Sequence, residues 1–256
     1  MNLADQNLSR IAREPLWDRA HAQLREALLA GRFEPGSALV LRQLAETFGT
    51  SITPVRDAVS RLVAQGVLDQ GPRNSALVPD LRSSALTDLM VVRTELEGRA
   101  TREAALKAGA ADIDALEALL ADMRRMIEKR RLDTYLDIHR RFHFGIYALA
   151  GIPILLEMIE NLWLRCGPIL SFVVPEYVVS LKGTDHHRAA LDAIRLKDGA
   201  HAEAEIVADI EEAGAYLLSL ADATGRIRRP GQGAEHGALR RGGARSARPV
   251  TAGDPL

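Results

Sequence analysis

Residues 16–80 alternate short amphipathic stretches with turn signals. Apolar side chains recur every three or four positions in three stretches that end at Gly31, Gly49 and Gly66, so each stretch predicts a short helix. Two brief apolar segments then flank GPRNS, which is the pattern of a small β-hairpin. A helix, a short helix, a tight turn, another helix and a hairpin follow the order of a winged helix-turn-helix domain.

The helix after the tight turn would enter the major groove of DNA with its N-terminus first. Pro54 suits its first turn, and Ser51 or Thr53 is able to cap it. Arginine forks suit guanine edges and phosphates. The candidate DNA contacts on this helix, on the preceding helix and at the hairpin tip are Arg42, Ser51, Thr53, Arg56, Arg61 and Arg73. The alternative, that these arginines are solvated residues of a small helical domain, has equal weight on periodicity alone.

Helical periodicity continues almost unbroken through the middle of the chain. Turn signals divide this block into predicted helices, and Gly167-Pro168 inside the fourth should kink or split that helix. The apolar stripes indicate an all-α bundle, so the chain is predicted to be mostly α, with a winged helix-turn-helix followed by a helical bundle. The predicted ranges are about 85–107, 111–130, 132–149, 153–181, 185–196 and 200–222.

Composition separates the two ends of the chain from this body. Residues 1–15 are polar and are expected to form a flexible arm. Residues 224–256 are rich in Gly, Pro, Ala and Arg, with seven arginines and two acidic residues, and are expected to be a disordered basic tail. Residues 81–223 hold 17 basic and 23 acidic groups, whereas residues 1–80 are balanced. The overall charge of −1 therefore gives no indication of nucleic-acid binding by itself.

Cysteine usage and hydropathy bear on the compartment. The single cysteine, Cys166, excludes an internal disulfide framework and is typical of a reducing environment. No apolar run reaches the roughly 18 residues of a membrane span. The start of the chain also lacks the apolar segment of a secretory signal. We therefore expect a cytoplasmic protein with no membrane partner.

Four residues of the helical block have the pattern of a metal site. His139 and His143 are four positions apart, so they share one face of a helix with Phe142 between them. His187 lies on the apolar stripe of its helix, and an inward Asp209 on the last helix would need a partner. Three imidazoles and one carboxylate suit Zn²⁺, Ni²⁺, Mn²⁺ or Fe²⁺. The alternative is that the histidines are structural, because an HxxxH pair also arises by chance.

Residues 16–80 resemble the DNA-binding domain of GntR-family transcription regulators. The resemblance rests on AGRFEPGSAL, on LRQLAETFGTSITPVRDAVSRLVAQGVL and on the wing GPRNSALV. It implies double-stranded operator DNA as the partner of this domain. Ile52 departs from the family, because arginine is frequent at that position, so one expected contact with DNA is absent.

Residues 85–222 resemble the all-helical effector-binding FCD domain of the FadR-like GntR subfamily. The resemblance rests on VVRTELEGRATREAA, on RRFHFGIYALAGIPILLEMIENLW and on DHHRAALDAIRLKD. It implies a metal held by an aspartate and a histidine four apart and by two further histidines. His143 and His187 match this pattern, whereas His139 stands where aspartate is usual and Asp209 stands where histidine is common.

The resemblance implies a one-component regulator that binds a two-fold related operator as a homodimer. A small organic acid would bind the helical domain, with its carboxylate on the metal, and modulate operator binding. Arg93 is the candidate partner of that acid, with an internal salt bridge to Glu95 or Glu97 as the alternative. A rival interpretation is a metal-dependent enzyme with Glu157 or Glu205 as its general base. A third is a regulator with an empty pocket and structural histidines.

Overall fold

The N-terminal part of the chain folds into three helices and a small sheet. The computed structural model describes residues 15–173, 178 and 182–230. The short helix before the tight turn ends at Gly49, whose φ of 62° is a left-handed conformation that glycine adopts easily. The winged helix-turn-helix prediction is therefore confirmed. Its elements are α1 (Leu16–Leu29), β1 (Ala38–Val40), α2 (Leu41–Phe48), α3 (Ile52–Ala64), β2 (Asp69–Gln70) and β3 (Ser75–Leu77).

The small sheet contains one strand more than the sequence predicted. Its order is β1-β3-β2 and both pairs are antiparallel, so β2 and β3 form the expected hairpin around GPRNS. The added strand, β1, places the buried Leu39 opposite the buried Ala76. Three residues are too few to show a strand period, which explains why this strand was missed.

The helix α3 is held by its apolar face. Val55, Ala58 and Leu62 are fully buried where α3 packs on α1, whose Leu24 and Leu28 are also fully buried. Burying an aliphatic side chain of this size contributes about 1.5–3 kcal/mol, so the face toward α1 anchors the helix. The opposite face of α3, from its N-terminus onward, remains exposed.

The second part of the chain is a bundle of helices, as predicted. Its largest fully buried side chains include Trp163, Tyr147 and Phe142, and α9 packs along both α4 and α8. Among the described residues, no helix combines the length and apolar character needed to span a membrane. The helices are α4 (Ser83–Lys107), α5 (Ala110–Glu128), α6 (Leu132–Leu149), α7 (Pro153–Leu170), α8 (Lys182–Arg195) and α9 (Gly199–Ser219).

The fourth helix of the block is shorter than its pattern predicted. Instead of continuing through residues 153–181, α7 ends at Leu170, two residues after Pro168, and residues 171–173 form a turn. Pro168 has no N–H to donate, so the helix loses a backbone hydrogen bond there and ends soon afterwards. Apart from the buried Val178, the stretch between residue 173 and residue 182 lies outside the described residues.

The start of the expected basic tail is packed rather than disordered. Ile227 is only 3 % exposed, and Arg226 forms a β-bridge with Arg82 and an ion pair with Asp80 at 2.6 Å. The buried Ile227 and the ion pairs of Arg226, Arg228 and Arg229 thus order residues 224–230, which composition alone predicted to be disordered. The expected arm, apart from Pro15, and the rest of the tail, residues 231–256, lie outside the described residues.

Helix α7 links the bundle to the N-terminal part. Gly167 faces the backbone of Leu28 in α1 so closely that a Cβ at this position would lie less than 3.0 Å from the carbonyl oxygen. Arg165 donates to the carbonyl oxygen of Gln65, at the end of α3, at 3.1 Å. Arg140 of α6 also contacts Glu26 of α1 at 2.9 Å, so the two parts are in direct contact through both α7 and α6.

Candidate metal centre

Three helices bring the four predicted ligands together. Nε2 of His143 on α6 lies 3.1 Å from Nε2 of His139 on the same helix and 2.9 Å from Nε2 of His187 on α8. Oδ2 of Asp209 on α9 lies 3.6 Å from Nε2 of His143 and 3.5 Å from Nε2 of His187. The four donor atoms all lie within 4.8 Å of one another.

Apolar neighbours turn each ligand inward. Phe142 and Ile146 are fully buried on the face of α6 that carries both histidines. Leu191 lies one turn beyond His187 and is fully buried, and Ile206 and Ile210 bury the face of α9 next to Asp209. The hydrophobic effect thus orients the helices, and the ligands meet as a consequence.

The donor set fits a divalent transition metal. Two nitrogens bonded to one ion at about 2.0–2.1 Å lie about 3.0–3.5 Å apart, close to the separations seen here. Nε2 of His143 faces two imidazole nitrogens and a carboxylate, which a single N–H cannot satisfy together. A cation between these atoms would use the lone pairs that hydrogen bonds leave unpaired.

A buried chain of hydrogen bonds sets the tautomer of His143. The carboxylate of Glu97 only accepts, so the Tyr147 hydroxyl donates to it at 2.6 Å. The Tyr147 oxygen then accepts from Nδ1–H of His143 at 2.9 Å, which leaves the lone pair of Nε2 directed at the other ligands. Partners of this kind commonly orient the histidines of metal sites.

The surroundings of the site shift the pKa values of three ligands. Burial, and to a smaller extent the nearby His187, lowers the pKa of His139 to about 3. Burial and the neighbouring His139 also hold the pKa of His143 well below its ordinary value. Burial alone would raise the pKa of the Asp209 carboxyl, but the three surrounding histidines, His187 first, together outweigh it and lower that pKa. Neutral imidazoles and an ionised carboxylate are the states that bind a metal.

Arg93 lies at the edge of the site and is already paired. Its Nε and Nη2 donate to the carboxylate of Glu97 at 2.6 and 3.3 Å, and both residues are buried. The guanidinium also lies over the ring of Trp163, 5.1 Å from its centroid. The internal salt bridge with Glu97, one of the alternatives from the sequence, is therefore formed, while Arg93 still lines the cavity.

A cavity opens beside the four ligands. Its volume is about 50 Å³, and the ligands and Arg93 form its polar side. Aliphatic and aromatic residues from α6, α7 and α9, together with Val173 and Val178, form the remaining wall. Sequence reasoning missed Tyr147 and Trp163 as parts of this region. Tyr147 lies four positions after His143, a spacing that was available in the sequence, whereas no local pattern connects Trp163 to the site.

The two carboxylates named as general bases for an enzyme lie elsewhere. Glu157 is exposed on α7. Glu205 is bonded to His186 at 2.7 Å and to His201 at 3.1 Å. Neither lines the cavity, so neither is placed to act on a molecule bound there.

The N-terminus of α3 presents the first three candidate DNA contacts. Ser51 is the N-cap residue, although its side chain makes no capping hydrogen bond. Thr53 and Arg56 follow in the first turns, and all three residues are exposed. This end of α3 therefore offers polar, accessible side chains.

The other three candidates are also exposed, and two of them have partners within the protein. Arg42 contacts Glu46 at 3.3 Å, and the guanidinium of Arg61 lies over the ring of Trp17, 5.4 Å from its centroid. Arg73 lies at the hairpin tip with a φ of 56°. Exposed ion pairs of this kind contribute little, so the pairing leaves Arg42 able to contact a phosphate.

Comparison with known proteins identifies both parts of the chain. Residues 16–78 match the model of bacterial regulatory proteins of the gntR family, and residues 88–212 match the FCD domain. The HTH-type transcriptional regulator McbR of Escherichia coli (strain K12) is 36% identical over 150 residues, which cover 59% of this chain and 68% of that protein.

Two further similarities extend over most of the chain. The uncharacterized HTH-type transcriptional regulator YieP of the same strain is 28% identical over 216 residues, 77% of this chain and 89% of that protein. The solved structure of E. coli McbR/YncC has a TM-score of 0.76 at 29% identity, and the similarity covers 81% of this chain and 99% of that chain. The chain thus belongs to the GntR family of bacterial regulatory proteins and is a DNA-binding transcription regulator that carries an FCD domain.

Proposed function

We propose that this regulator senses a small carboxylate at a metal centre in its helical domain. A divalent transition metal would be held by His139, His143, His187 and Asp209. The protein would act as a homodimer on a two-fold related operator, with the N-terminus of α3 in the major groove. Binding of the acid would modulate the affinity for the operator.

The convergence of the four ligands at one cavity carries this proposal. Three helices supply them, and their donor atoms lie within 4.8 Å of one another although His139 and Asp209 are 70 positions apart in the chain. Buried polar groups are costly unless they are satisfied, and a cation would satisfy this set. When bound, a divalent ion supplies positive charge and open coordination positions for a carboxylate.

Helix α7 offers the physical connection between the cavity and the DNA-binding part. It carries Trp163, which lines the cavity, and Gly167, which abuts Leu28 of α1. An acid that favours one position of α7 shifts the equilibrium between two placements of the N-terminal part only as far as its affinities for the two differ. The McbR relative is described as a transcriptional regulator, which agrees with control of DNA binding as the output.

Metal analysis of the purified full-length chain tests the metal centre. Plasma mass spectrometry is expected to find a transition metal in the wild-type chain and in the control His201→Ala, because His201 lies on the surface outside the site. The variant His143→Ala should lose most of this metal. Unchanged metal content in His143→Ala, with a normal circular dichroism spectrum, would contradict the metal centre and favour structural histidines.

A gel-shift assay with DNA from upstream of the protein's own gene tests whether the chain binds an operator there. We expect specific binding that survives competitor DNA and that weakens as salt rises. If no binding is seen even at low salt, where phosphate attraction is strongest, the hypothesis of an operator upstream of its own gene is contradicted. The alternative of a metal-dependent enzyme would then be favoured. Titration of small acids into the metal-loaded complex then tests whether the effector acts on DNA binding.

A further inference from the structure

A short linker without helix or strand joins the two parts of the chain. Residues 79–82 lie between the sheet of the N-terminal part and the first turn of α4, and an isolated β-bridge at Arg82 is their one regular feature. Irregular backbone moves readily unless other contacts hold it. The placement of the DNA-binding part on the bundle therefore depends in part on what fixes this linker.

A segment after α9, residues 221–229, folds back on itself, and we call it the C-terminal strap. The amide of Asp222 donates to the carbonyl oxygen of Arg226 at 2.9 Å, and Ala221 forms a β-bridge with Ile227. Ile227 is only 3 % exposed, and burying an aliphatic side chain of this size contributes about 1.5–3 kcal/mol. The strap is thus an ordered element with a buried anchor.

The strap holds the linker through both backbone and side chains. Arg226 forms the β-bridge with Arg82, and its Nε lies 2.6 Å from Oδ2 of Asp80. Nη1 of Arg82 donates to the carbonyl oxygen of Thr224 at 3.0 Å. The first residue of α4 donates its amide to the carbonyl oxygen of Gly225 at 2.8 Å. Polar groups of the linker thus find partners in a segment about 142 positions later in the chain.

The last residue of the strap contacts both parts of the chain. Nη2 of Arg229 lies 3.5 Å from Oε1 of Glu34, in the loop after α1, and its guanidinium lies over the ring of Phe172, 5.0 Å from the centroid. Phe172 is buried just beyond the end of α7. An exposed ion pair contributes little by itself, so the buried Ile227 and the backbone contacts hold the strap in place. Arg229 then extends these contacts from the linker to the N-terminal part.

From these contacts we infer that the C-terminal strap is a clamp that locks the linker and holds the DNA-binding part in one placement on the bundle. The linker and the strap lie outside residues 16–78 and 88–212, so neither family match assigns them a role. A two-fold operator is bound most tightly when both reading helices are already held at the half-site spacing, because ordering them on binding costs free energy. The clamp therefore strengthens binding to the full operator, and it acts without a metal or an effector.

Hydrogen exchange in the full-length chain tests whether the strap holds the linker. Ile227→Asp places a charge at the buried anchor and should release the strap, because an unpaired buried carboxylate is costly. Ala223→Asp is the matched control, since it adds the same charge at an exposed position of the strap. Ser83 begins α4, so its amide has no partner within the helix and is protected by the strap. We expect its exchange to be at least about 10-fold faster in Ile227→Asp and unchanged in the control.

Fluorescence energy transfer measures the placement of the DNA-binding part. Dyes are attached through Thr47→Cys on α2 and Glu128→Cys on α5, two exposed positions, while the native Cys166 is buried and escapes labelling. Labelled chains are diluted into unlabelled chains, so that a homodimer carries one dye pair. One narrow distance population is expected in the wild-type and Ala223→Asp backgrounds, and a broad or shifted one with Ile227→Asp. The same narrow population in folded Ile227→Asp overturns the clamp.

The ion pair between strap and linker keeps the test decisive if the first variant folds poorly. Arg226→Ala and Asp80→Ala each remove one half of the pair and should speed the same amide exchange. The double variant should exchange no faster than the more affected single variant, because all three lack the same contact. Arg228→Ala is the control, since its partner Asp222 lies within the strap. Wild-type exchange in both single variants contradicts the clamp.

Two truncated chains connect the clamp to DNA binding. A chain that ends at residue 223 loses most of the strap and the tail, whereas one that ends at residue 230 loses only the tail, whose four arginines attract phosphates. The shorter chain should bind the full operator at least about 10-fold more weakly than the longer one, and a single half-site equally well. Equal affinities for the full operator overturn the role of the clamp in DNA binding. If no chain binds this DNA while the distance populations differ as expected, the proposed operator fails and the clamp stands.

Discussion

At the scale of single residues, the chain from His143 through Tyr147 to Glu97 controls how the metal centre can work. The hydroxyl of Tyr147 accepts from Nδ1–H of His143 and donates to Glu97, so it links the ligand to the buried ion pair with Arg93. Replacing Tyr147 by phenylalanine keeps the ring and removes only the hydroxyl. His143 is then free to take the tautomer that carries its proton on Nε2.

We predict that Tyr147→Phe weakens metal binding by about 10- to 100-fold, the usual effect of losing a partner of a ligand histidine. Competition with a chromogenic chelator measures the affinity. Tyr216→Phe is the matched control, because Tyr216 also lies on a helix of the bundle but does not line the cavity. Equal affinities for the two variants, with equal thermal stability, would show that Tyr147 has no positioning role.

The buried histidines also predict how stability depends on pH in the metal-free protein. The pKa of His139 is lowered to about 3 by burial, while the unfolded chain titrates at about 6.5. Above about pH 6.5 both states are neutral and the group contributes nothing to the pH dependence. Below that pH only the unfolded state takes up the proton, so the free energy of unfolding falls by about 1.4 kcal/mol per pH unit until the pH approaches about 3.

Urea unfolding of the metal-free protein at about pH 7.5 and about pH 5.5 measures this effect. His139→Gln should show a shallower loss of stability between the two conditions than the wild-type chain. His201→Gln should retain the wild-type dependence, because His201 is exposed. An identical pH dependence in wild type and His139→Gln would mean that His139 titrates normally in the fold.

At the scale of elements, most helices were predictable from the sequence, whereas the short strand β1 and the exact end of α7 were not. The ranges of α4, α5, α6 and α9 agree with the predicted ones to within about three residues, because helical periodicity is a local property. The strand β1 was missed, since it is too short to show a period. The predicted range of α7 was too long although a kink or split at Gly167-Pro168 was expected, because the residue at which the helix ends depends on how the proline is accommodated.

The contact of α7 with α1 leads to a prediction at this scale. Gly167→Ala would force its Cβ against the Leu28 carbonyl oxygen, so we expect a loss of about 1–3 kcal/mol in the free energy of unfolding and an altered affinity for operator DNA. Gly145→Ala in α6 is the control, because its added Cβ meets only the flexible end of Leu116. Urea unfolding and fluorescence anisotropy with labelled operator measure the two effects.

Equal behaviour of the two alanine variants would show that the α1–α7 contact carries no stability. A destabilised Gly167→Ala variant with unchanged DNA affinity would show that the contact is structural only. In that case the connection proposed between cavity and operator would have to run through another element.

At the scale of the whole molecule, the exposed end of α3 predicts the response to DNA. Arg56→Ala should weaken operator binding by about 1–3 kcal/mol if the side chain reaches a base edge, and should lower the salt dependence if it reaches a phosphate. Arg99→Ala is the matched control, because Arg99 is an exposed arginine on α4 paired with Glu103. Anisotropy titrations at several salt concentrations separate the two roles, and equal affinities of the two variants would remove Arg56 from the interface.

The sequence by itself determined most of the helices and the hairpin, the order of the two parts and the residue types of the site. Periodicity and turn residues act over a few positions, so α3 with its exposed polar end and the four candidate ligands were all identifiable from the chain. The prediction of a disordered tail was wrong for residues 224–230, because composition does not reveal that Ile227 finds a buried position.

Only the tertiary structure decided which of these residues meet. The convergence of His139, His143, His187 and Asp209 depends on how α6, α8 and α9 pack, which is set by apolar faces distant in sequence. The same packing places Arg93 beside Glu97 and leaves aliphatic side chains around the cavity. Local periodicity determines which residues form a helix, whereas the burial of apolar faces distant in sequence determines which elements that helix packs against. The chemistry of the site depends on this packing.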